Sequence, residues 1–520
     1  MQQAQRSEHR LWLRRAARLA VFCLLVLLMV ALLDQLLCDK GGTIRGFYEE
    51  PKNSIDVLFI GGSHANAAFA PTRIFEQEGF TSYVLYSWSQ PVWTSYHYLK
   101  EGLKTQTPKV VVLDAFGLTY GHTYMTDIQI NATSDQYSML IRPGYNRLRL
   151  ALAMSACQTN HRPFTDYFSL FQFHNRWKAL SEKDWLWFLQ NDATTGKGYG
   201  PLYTTEAFPP QQMPPDTAEN ELMEEPCERY LRRFFALAEQ EGFSLVVTAL
   251  PYECTAEEYG IYAKAARLCA ENGVPFLNYF DPATAAEAGF DWASQMAEHA
   301  HVNYKGAEAI SAHIAAWLAE RYALPDHRAD PAYADWQRSA QIENADRARM
   351  DLRMTADLAG ILQKAEENGY LVALTARGDL AQSGAQTTEG FAAVRGAFAA
   401  AGLDTTVLDT PGSCGLYLYG PGTGWQQQTA PPGAEAPLTA EARLADLLPA
   451  EPSPVGSGPD EAHALLTASV SSAAAEVWFG GEQVALAHDG VSVVVVEPVT
   501  GRLVQSICFS ASDGYAPYTD

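Results

Sequence analysis

A chain of 520 residues is long enough for more than one domain, and its 47% apolar content is enough for ordinary packed cores. Sixty Asp and Glu against 37 Lys and Arg leave a net charge of −23. That balance argues against nucleic acid, whose phosphates need Lys and Arg, and counts against a highly anionic polymer as substrate.

The first element is a span. Residues 19–33 (LAVFCLLVLLMVALL) carry no charge, and Leu36 and Leu37 extend them. With its flanks this run reaches the ~20 residues a helix needs to cross a bilayer. Arg6, Arg10, Arg14, Arg15 and Arg18 precede it; Asp34, Asp39 and Glu49 follow, against Lys40. The positive-inside bias places the N-terminus in the cytoplasm and the bulk of the chain outside the cell. No small-x-small cleavage site follows the run, so residues 1–41 read as a cytoplasmic tail and single-pass anchor rather than a cleaved signal. The eight cysteines form no Cys-x-x-Cys pair, so no metal site is expected, and no cofactor motif stands out.

From residue 42 to 325 strands alternate with helices. Strands are expected at 57–60, 83–86, 110–115, 244–250 and 274–277, and helices at 70–77, 95–105, 256–272 and 306–322. This alternation predicts an α/β domain, a parallel sheet covered on both faces in three layers. Residues 120–235 break the rhythm. They are rich in Tyr, Trp and Phe and predict a helical insertion. A charged stretch at 326–353 reads as a helical linker. Residues 354–520 then predict a second, α+β domain, with strands at 370–375, 415–419 and 491–497, a helix near 389–401, and a hairpin turn at Pro498-Val-Thr-Gly501. Its Pro/Gly/Ala-rich tract at 426–459 reads as a disordered loop.

Two places carry chemistry. Residues 56–64, DVLFIGGSH, end a buried strand in two glycines, a serine and a histidine. Open α/β sheets bind ligands at the carboxyl ends of their strands. Far downstream, residues 298–307, EHAHVNYKGA, lead into the closing helix. A serine after the first strand and an acid-x-x-His before the last helix supply a nucleophile, Ser63, a base, His301, and an orienting carboxylate, Glu298. His64 is expected to point away from the serine, as a supporting or surface residue, and His299 to be exposed. His174, Arg176 and Trp177 fit two readings: plain helix packing, or a glycan or acyl pocket, since an aromatic face and a guanidinium suit sugar or carboxylate. Asn131-Ala-Thr133 matches a glycosylation sequon, which carries little weight here.

Together, Gly61-Gly-Ser-His64, Ser89-Gln90-Pro91, the 110–115 strand, Phe173-His-Asn-Arg-Trp177 and Glu298-x-x-His301-Val-Asn-Tyr-Lys-Gly306 resemble the SGNH (GDSL-like) hydrolase superfamily. The nearest branch is the membrane-anchored Gram-positive one related to DltD and to alginate O-acetylation proteins. The resemblance implies a flavodoxin-like fold with Ser63, His301 and Glu298 as the triad. Ser89 and Gln90 would serve in oxyanion or substrate binding, and His174 and Arg176 would line the substrate site. It also implies a cell-surface glycan as substrate and a polytopic membrane O-acyltransferase as partner. The chain departs from the family pattern in having Glu298 where Asp is usual and Ser89 where glycine is usual, and in having no recognisable Gly-x-Asn after the third strand. An active acyltransferase or esterase and an inactive glycan-binding or assembly protein both fit. The C-terminal region resembles the interleukin-like EMT inducer domain: Gly369-Tyr-Leu-Val-Ala-Leu-Thr375 matches one strand of it, and residues 490–509 match its hairpin, in permuted order. Such domains bind or position partners and carry no reaction.

Overall fold

The computed structural model describes residues 2–37, 44–121, 141–159, 162–186, 196–211, 223–377, 389–447, 465–485, 489–511, 515 and 517–518. The chain divides into two compact units, residues 1–340 and 341–520. The sequon at 131–133 and part of the expected insertion lie outside the described residues.

The first unit opens with the helix Gln2–Leu37. Its stretch Trp12–Leu37, 26 residues that include an 18-residue window of mean hydropathy 2.7, is long and apolar enough to cross a membrane. A five-stranded parallel sheet follows, built from β1 (Val57–Gly61), β2 (Ser82–Tyr86), β3 (Val110–Asp114), β4 (Ser244–Ala249) and β5 (Phe276–Asn278). Its order is β2-β1-β3-β4-β5, with Val57 beside both Ser82 and Val110. β1, β2 and β3 are buried along their whole length. That is why they read as unbroken apolar runs rather than alternating ones. The helices pair off across the sheet: Pro71–Glu78 packs with Tyr304–Arg321, and Val92–Gly102 packs with Glu225–Glu241. In this winding order the chain leaves β1 toward one edge and β3 toward the other, so a crevice opens at the carboxyl ends of β1 and β3.

Short helices occupy the insertion: Tyr145–Cys157, Pro163–Tyr167, Ser169–Phe173 and Glu182–Leu186, with a 3-10 turn at His174–Ala179. A buried polar network fixes the insertion to the core. Asn146 Oδ1 meets His97 Nδ1 at 2.9 Å, Asn146 Nδ2 donates to Glu101 Oε2 at 2.8 Å, and Tyr48 OH donates to Glu101 Oε1 at 2.9 Å. Burial outweighs the Asn146 hydrogen bond and pulls His97 down to about 4, so the ring is neutral at physiological pH.

The second unit is antiparallel. Its six-stranded sheet runs β10-β9-β8-β15-β16-β17, and a four-stranded sheet runs β11-β12-β13-β14. In chain order these are β8 (Leu371–Arg377), β9 (Cys414–Gly420), β10 (Gly424–Ala430), β11 (Leu438–Arg443), β12 (Leu465–Val470), β13 (Ala475–Phe479), β14 (Glu482–Gln483), β15 (Gly490–Glu497), β16 (Arg502–Ser510) and β17 (Pro517–Tyr518). Val491, Val493 and Val495 of β15 pack with the helices Leu358–Glu367 and Glu389–Ala400, while Val494 and Val496 pack with residues of the second sheet. A strand covered on both faces explains the run of four valines. Pro498–Gly501 makes the expected hairpin between β15 and β16. The 426–459 tract differs from expectation: β10 and β11 occupy residues 424–430 and 438–443, and 448–459 lie outside the described residues. Low apolar content misleads there because β10 and β11 expose many of their residues. The charged stretch at 326–353 is helical over Ala334–Arg353.

Packing at the end of β1 generates a prediction. A Cβ on Gly61 would lie 2.6 Å from Asp114 Cβ and 2.8 Å from Ala65 Cβ. Gly61→Ala must push strand or helix aside, at a cost of about 1–3 kcal/mol. Thermal unfolding of the full chain in detergent should show a lowered midpoint; an unchanged midpoint would mean that the β1–β3 contact is looser than drawn.

Candidate active site

Ser63 begins the helix Ser63–Ala68, directly after β1. The two glycines before it are there for close approach rather than for a left-handed turn, since Gly62 has φ −89° and Gly61 abuts Asp114. Asn66 holds the short helix in place by donating to the Gly198 carbonyl at 2.8 Å and accepting from Gly200 N–H at 3.0 Å on its backbone oxygen.

Glu298 and His301 arrive on a small hairpin. β6 (Met296–Glu298) pairs antiparallel with β7 (His301–Val302), and Glu298 and His301 are direct partners in the ladder. The acid-x-x-His spacing therefore works through a two-residue turn, His299-Ala300, which sets the two side chains next to each other across the strands. Glu298 Oε1 is hydrogen-bonded to His301 Nδ1, and His301 Nε2 lies 2.8 Å from Ser63 Oγ. Glu298 Oε2 accepts from Ala300 N–H at 2.8 Å and contacts the exposed His299 at 2.9 Å. Burial pushes the Glu298 carboxyl up, but the Ala300 N–H and the neighbouring His301 and His299 outweigh it, so its pKa lies below the ordinary glutamate value. Serine, histidine and glutamate thus form a continuous chain in which the carboxylate fixes the imidazole and the imidazole faces the hydroxyl. Asp291 is exposed and bonded to Ser294, and Asp114 meets Phe116 N–H, so neither takes the place of Glu298.

Asn303 was not singled out as a site residue by its sequence, yet it secures this hairpin. It is fully buried. Its Oδ1 caps the closing helix by accepting from Lys305 and Gly306 N–H at 3.0 and 3.1 Å. Its Nδ2 lies 3.0 to 3.2 Å from the Ser294 and Met296 carbonyls and Thr205 Oγ1. The signal was present: an asparagine immediately before a helical pattern is a helix N-cap.

The loop after β2 borders the serine. Ser89 has φ 54°, in the left-handed region, at a backbone cost of about 1–2 kcal/mol for a residue with a side chain. The Gln90 and Ser89 nitrogens lie 3.4 and 4.0 Å from where a Cβ on Gly62 would stand, so this strained loop runs beside the serine turn. The Gln90 side chain is buried and internally bonded, to Ser87 Oγ at 2.8 Å and Ser95 Oγ at 3.0 Å; it holds the loop and does not offer itself to a substrate. His174 and Arg176 also fall elsewhere. His174 Nδ1 meets the Phe171 carbonyl, while Arg176 pairs with Asp184 at 2.7 Å and reaches the Leu37 carbonyl at 3.4 Å. Arg176 thus bonds to the end of the first helix, while His174 and Trp177 are exposed.

Of the two expectations for His64, supporting or surface residue, the structure fits the supporting one. It is buried rather than on the surface, stacked on Phe116 with ring centroids 3.7 Å apart and edge-on to His301 at 5.1 Å. Its Nδ1 has no hydrogen-bond partner among the described residues. Burial, and then the nearby His301, hold its pKa well below the ordinary value, so it is a neutral wall of the site. Tyr252 completes that wall, 4.9 Å from His64 and 5.0 Å from Phe116.

Asp114 ends β3 next to the serine turn. Burial pushes its carboxyl up to about 7, against the Phe116 and Gly62 N–H groups, which lower it. Phe116 N–H donates to Oδ1 at 3.1 Å, whereas Oδ2 makes no hydrogen bond of full geometry. A scan against protein-family models finds no match to this chain, and a search of curated proteins finds no relative.

The Asp114 shift has a pH consequence. In the unfolded chain this group ionises near 3.8; in the folded chain it stays protonated until about 7. The folded state therefore binds more protons in that window, so this group's contribution makes stability fall as pH rises from about 4 to about 7, by on the order of 4 kcal/mol at most. In Asp114→Asn that contribution is absent. Unfolding midpoints of both proteins from pH 4 to 8 should converge at the acid end and separate in favour of the variant at the alkaline end; parallel profiles would reject a protonated Asp114.

Proposed function

We propose that this protein is an SGNH-type serine acyltransferase or esterase, anchored in the membrane by its first helix and acting on O-acyl groups, chiefly O-acetyl, of a cell-surface glycan. The observation that carries the reading is the Ser63–His301–Glu298 chain of hydrogen bonds, built from residues 238 positions apart in sequence and set at the β1/β3 crevice. A packed core has no need to line up a serine, an imidazole and a carboxylate in this way at a strand end. The same observation favours an enzyme over an inactive glycan-binding protein.

In this reading His301 Nε2 takes the proton from Ser63 Oγ as the oxygen attacks the ester carbonyl. Glu298 keeps the imidazole in the tautomer that leaves Nε2 free to accept, and stabilises the imidazolium that forms. The backbone of the strained Ser89 loop faces the developing oxyanion. The C–O bond to the leaving alcohol then breaks, His301 returns the proton to that alcohol, and the acyl group remains on Ser63. A second hydroxyl then attacks the acyl carbonyl as His301 Nε2 takes its proton, the bond to Ser63 Oγ breaks, and His301 returns the proton to Oγ: water completes hydrolysis, and a sugar hydroxyl completes transfer. Transfer is the preferred outcome, with the acyl group supplied at the membrane by a polytopic O-acyltransferase. No asparagine donor stands at the end of β3, where Asp114 is found. A missing donor is worth roughly 3 kcal/mol, so turnover of small esters should be slow. The bulk of the chain lies outside the cell, of Gram-positive type. The C-terminal unit, read as interleukin-like EMT inducer-like, positions partners and performs no reaction.

The test is a fluorophosphonate label and p-nitrophenyl acetate turnover. Wild type should label on Ser63 and turn over slowly. Ser63→Ala should lose the label and fall to background, and Glu298→Gln should be slower than wild type by about 10³–10⁴-fold. Equal rates for wild type and Ser63→Ala, with no adduct on Ser63, would replace this reading by the binding-protein one.

A further inference from the structure

The inserted helices grip the end of the first helix and carry a feature that the reaction does not use. Asp34 is buried there, accepting from Leu170 N–H at 2.8 Å and lying 3.6 Å from Arg147. Leu37 is buried with Phe173. Beside this grip, the insertion exposes large aromatic side chains: Tyr145 is 76% exposed, Phe164 61% and Trp185 58%. Phe164 lies 5.1 Å from Phe168 and 5.0 Å from Phe171, so these rings form one cluster rather than scattered residues. Leu148 and Leu152 continue the exposed stripe from Tyr145 along its helix. Contiguous apolar surface of this kind marks an interaction site.

What covers it is indicated by the neighbouring helix. Trp185 stands along Leu25, Leu28, Met29, Leu32, Leu33 and Leu36, enclosing with them a cleft of about 410 Å³. Those positions cover about 16 Å of helix at 1.5 Å per residue, within the stretch long enough to cross a bilayer. Trp185 therefore sits at a depth where the solvent of the anchor is lipid. The charge agrees. Residues 141–186 hold seven Lys and Arg against three Asp and Glu in a chain whose net charge is −23, and Arg142, Arg149, Arg162 and Lys178 are exposed. Tryptophan, tyrosine and basic residues gather at the headgroup level, where basic clusters attract anionic lipid.

We propose that the 145–186 insertion is an interfacial collar. It dips into the leaflet at the C-terminal end of the first helix, with Phe164, Phe171 and Trp185 among the acyl chains and the basic residues at the headgroups. The proposal rests on the reading of the first helix as a membrane anchor. Because the His97–Asn146–Glu101 network ties the collar to the α/β core, docking fixes the height and tilt of the Ser63 crevice above the bilayer. A collar held in this way takes phospholipid as its partner, and it binds through aromatic and basic side chains rather than through a headgroup pocket.

The experiment uses the full chain in vesicles of phosphatidylethanolamine and phosphatidylglycerol. The photocrosslinker p-benzoylphenylalanine replaces, one at a time, Phe164, Phe171, Trp185, Leu25 as a reference within the span, and Glu257 as an exposed reference on the core. Exposed aromatic positions accept this ring without repacking. After irradiation, mass spectrometry reads lipid adducts. Positions 164, 171 and 185 should label phospholipid at no less than about a third of the Leu25 yield, and 257 below about a tenth of it. Labelling at Leu25 with none at 164 and 171 overturns the collar and leaves the anchor standing. No lipid adduct at Leu25 overturns the anchor and the collar with it. Adducts between two copies of the chain at 164 and 171, in place of lipid, would make this face a self-association surface and also overturn the proposal.

Discussion

A buried asparagine holds together residues that the sequence keeps far apart. Asn303 spends its whole side chain on the hairpin that carries Glu298 and His301 and on the first turn of the closing helix. Each such hydrogen bond is worth about 1 kcal/mol net, but removing the side chain would leave the first N–H groups of the closing helix without this acceptor, at about 1–3 kcal/mol apiece. The closing helix is hitched in turn to the serine side of the crevice: Ser311 Oγ accepts from Ala70 N–H at 2.9 Å and donates to the Ala68 carbonyl at 3.2 Å. His301 and Ser63 can face each other because both ends of this path are buried and hydrogen-bonded.

The crevice itself is costly. A serine loop residue in the left-handed region, a neutral histidine whose Nδ1 has no hydrogen-bond partner among the described residues, and an aspartate raised by burial lie within a few residues of Ser63 or of the strand beside it. Strain and perturbed titration gathered at the carboxyl ends of two parallel strands mark a candidate functional site. Glu298 is the exception that fits: it alone among these carboxyls is held below its ordinary value, and it alone must stay charged to orient His301.

Much of this was legible in the chain. The strands at 57–60, 83–86, 110–115 and 244–250 are read correctly because strands buried on both faces lose their alternation and become apolar runs. Ser63, Glu298 and His301 were readable because strand end and helix start flank them. What was hidden depends on contacts rather than on pattern. The Glu298–His301 pairing comes from a two-residue hairpin too short to leave a periodic signal. His64 reads in sequence as either a supporting or a surface residue, because Phe116, Tyr252 and His301, which pack against it, lie 52, 188 and 237 positions later. Arg176 and His174 carry the right chemistry for a substrate site, but their partners are Asp184, Phe171 and the Leu37 carbonyl at the end of the first helix. The 426–459 tract misled for a related reason: β10 and β11 are half-exposed sheet, which looks like disorder when only composition is read.

The placement of Arg176 connects the two ends of the first unit. The same insertion that disappoints as a substrate pocket is bonded to the helix Gln2–Leu37 on one side and, through Asn146, to the helix Val92–Gly102 on the other. That second helix starts just after the Ser89 loop, and Gln90 ties the loop to Ser95 in its first turn. Polar contacts therefore run from the end of the first helix, through the insertion, to the loop beside Ser63. For the glycan-acting enzyme proposed above, such a path would hold the crevice at one height, so that the polymer meets it in one orientation. Holding the reacting groups in advance is what converts a weak serine nucleophile into an effective one.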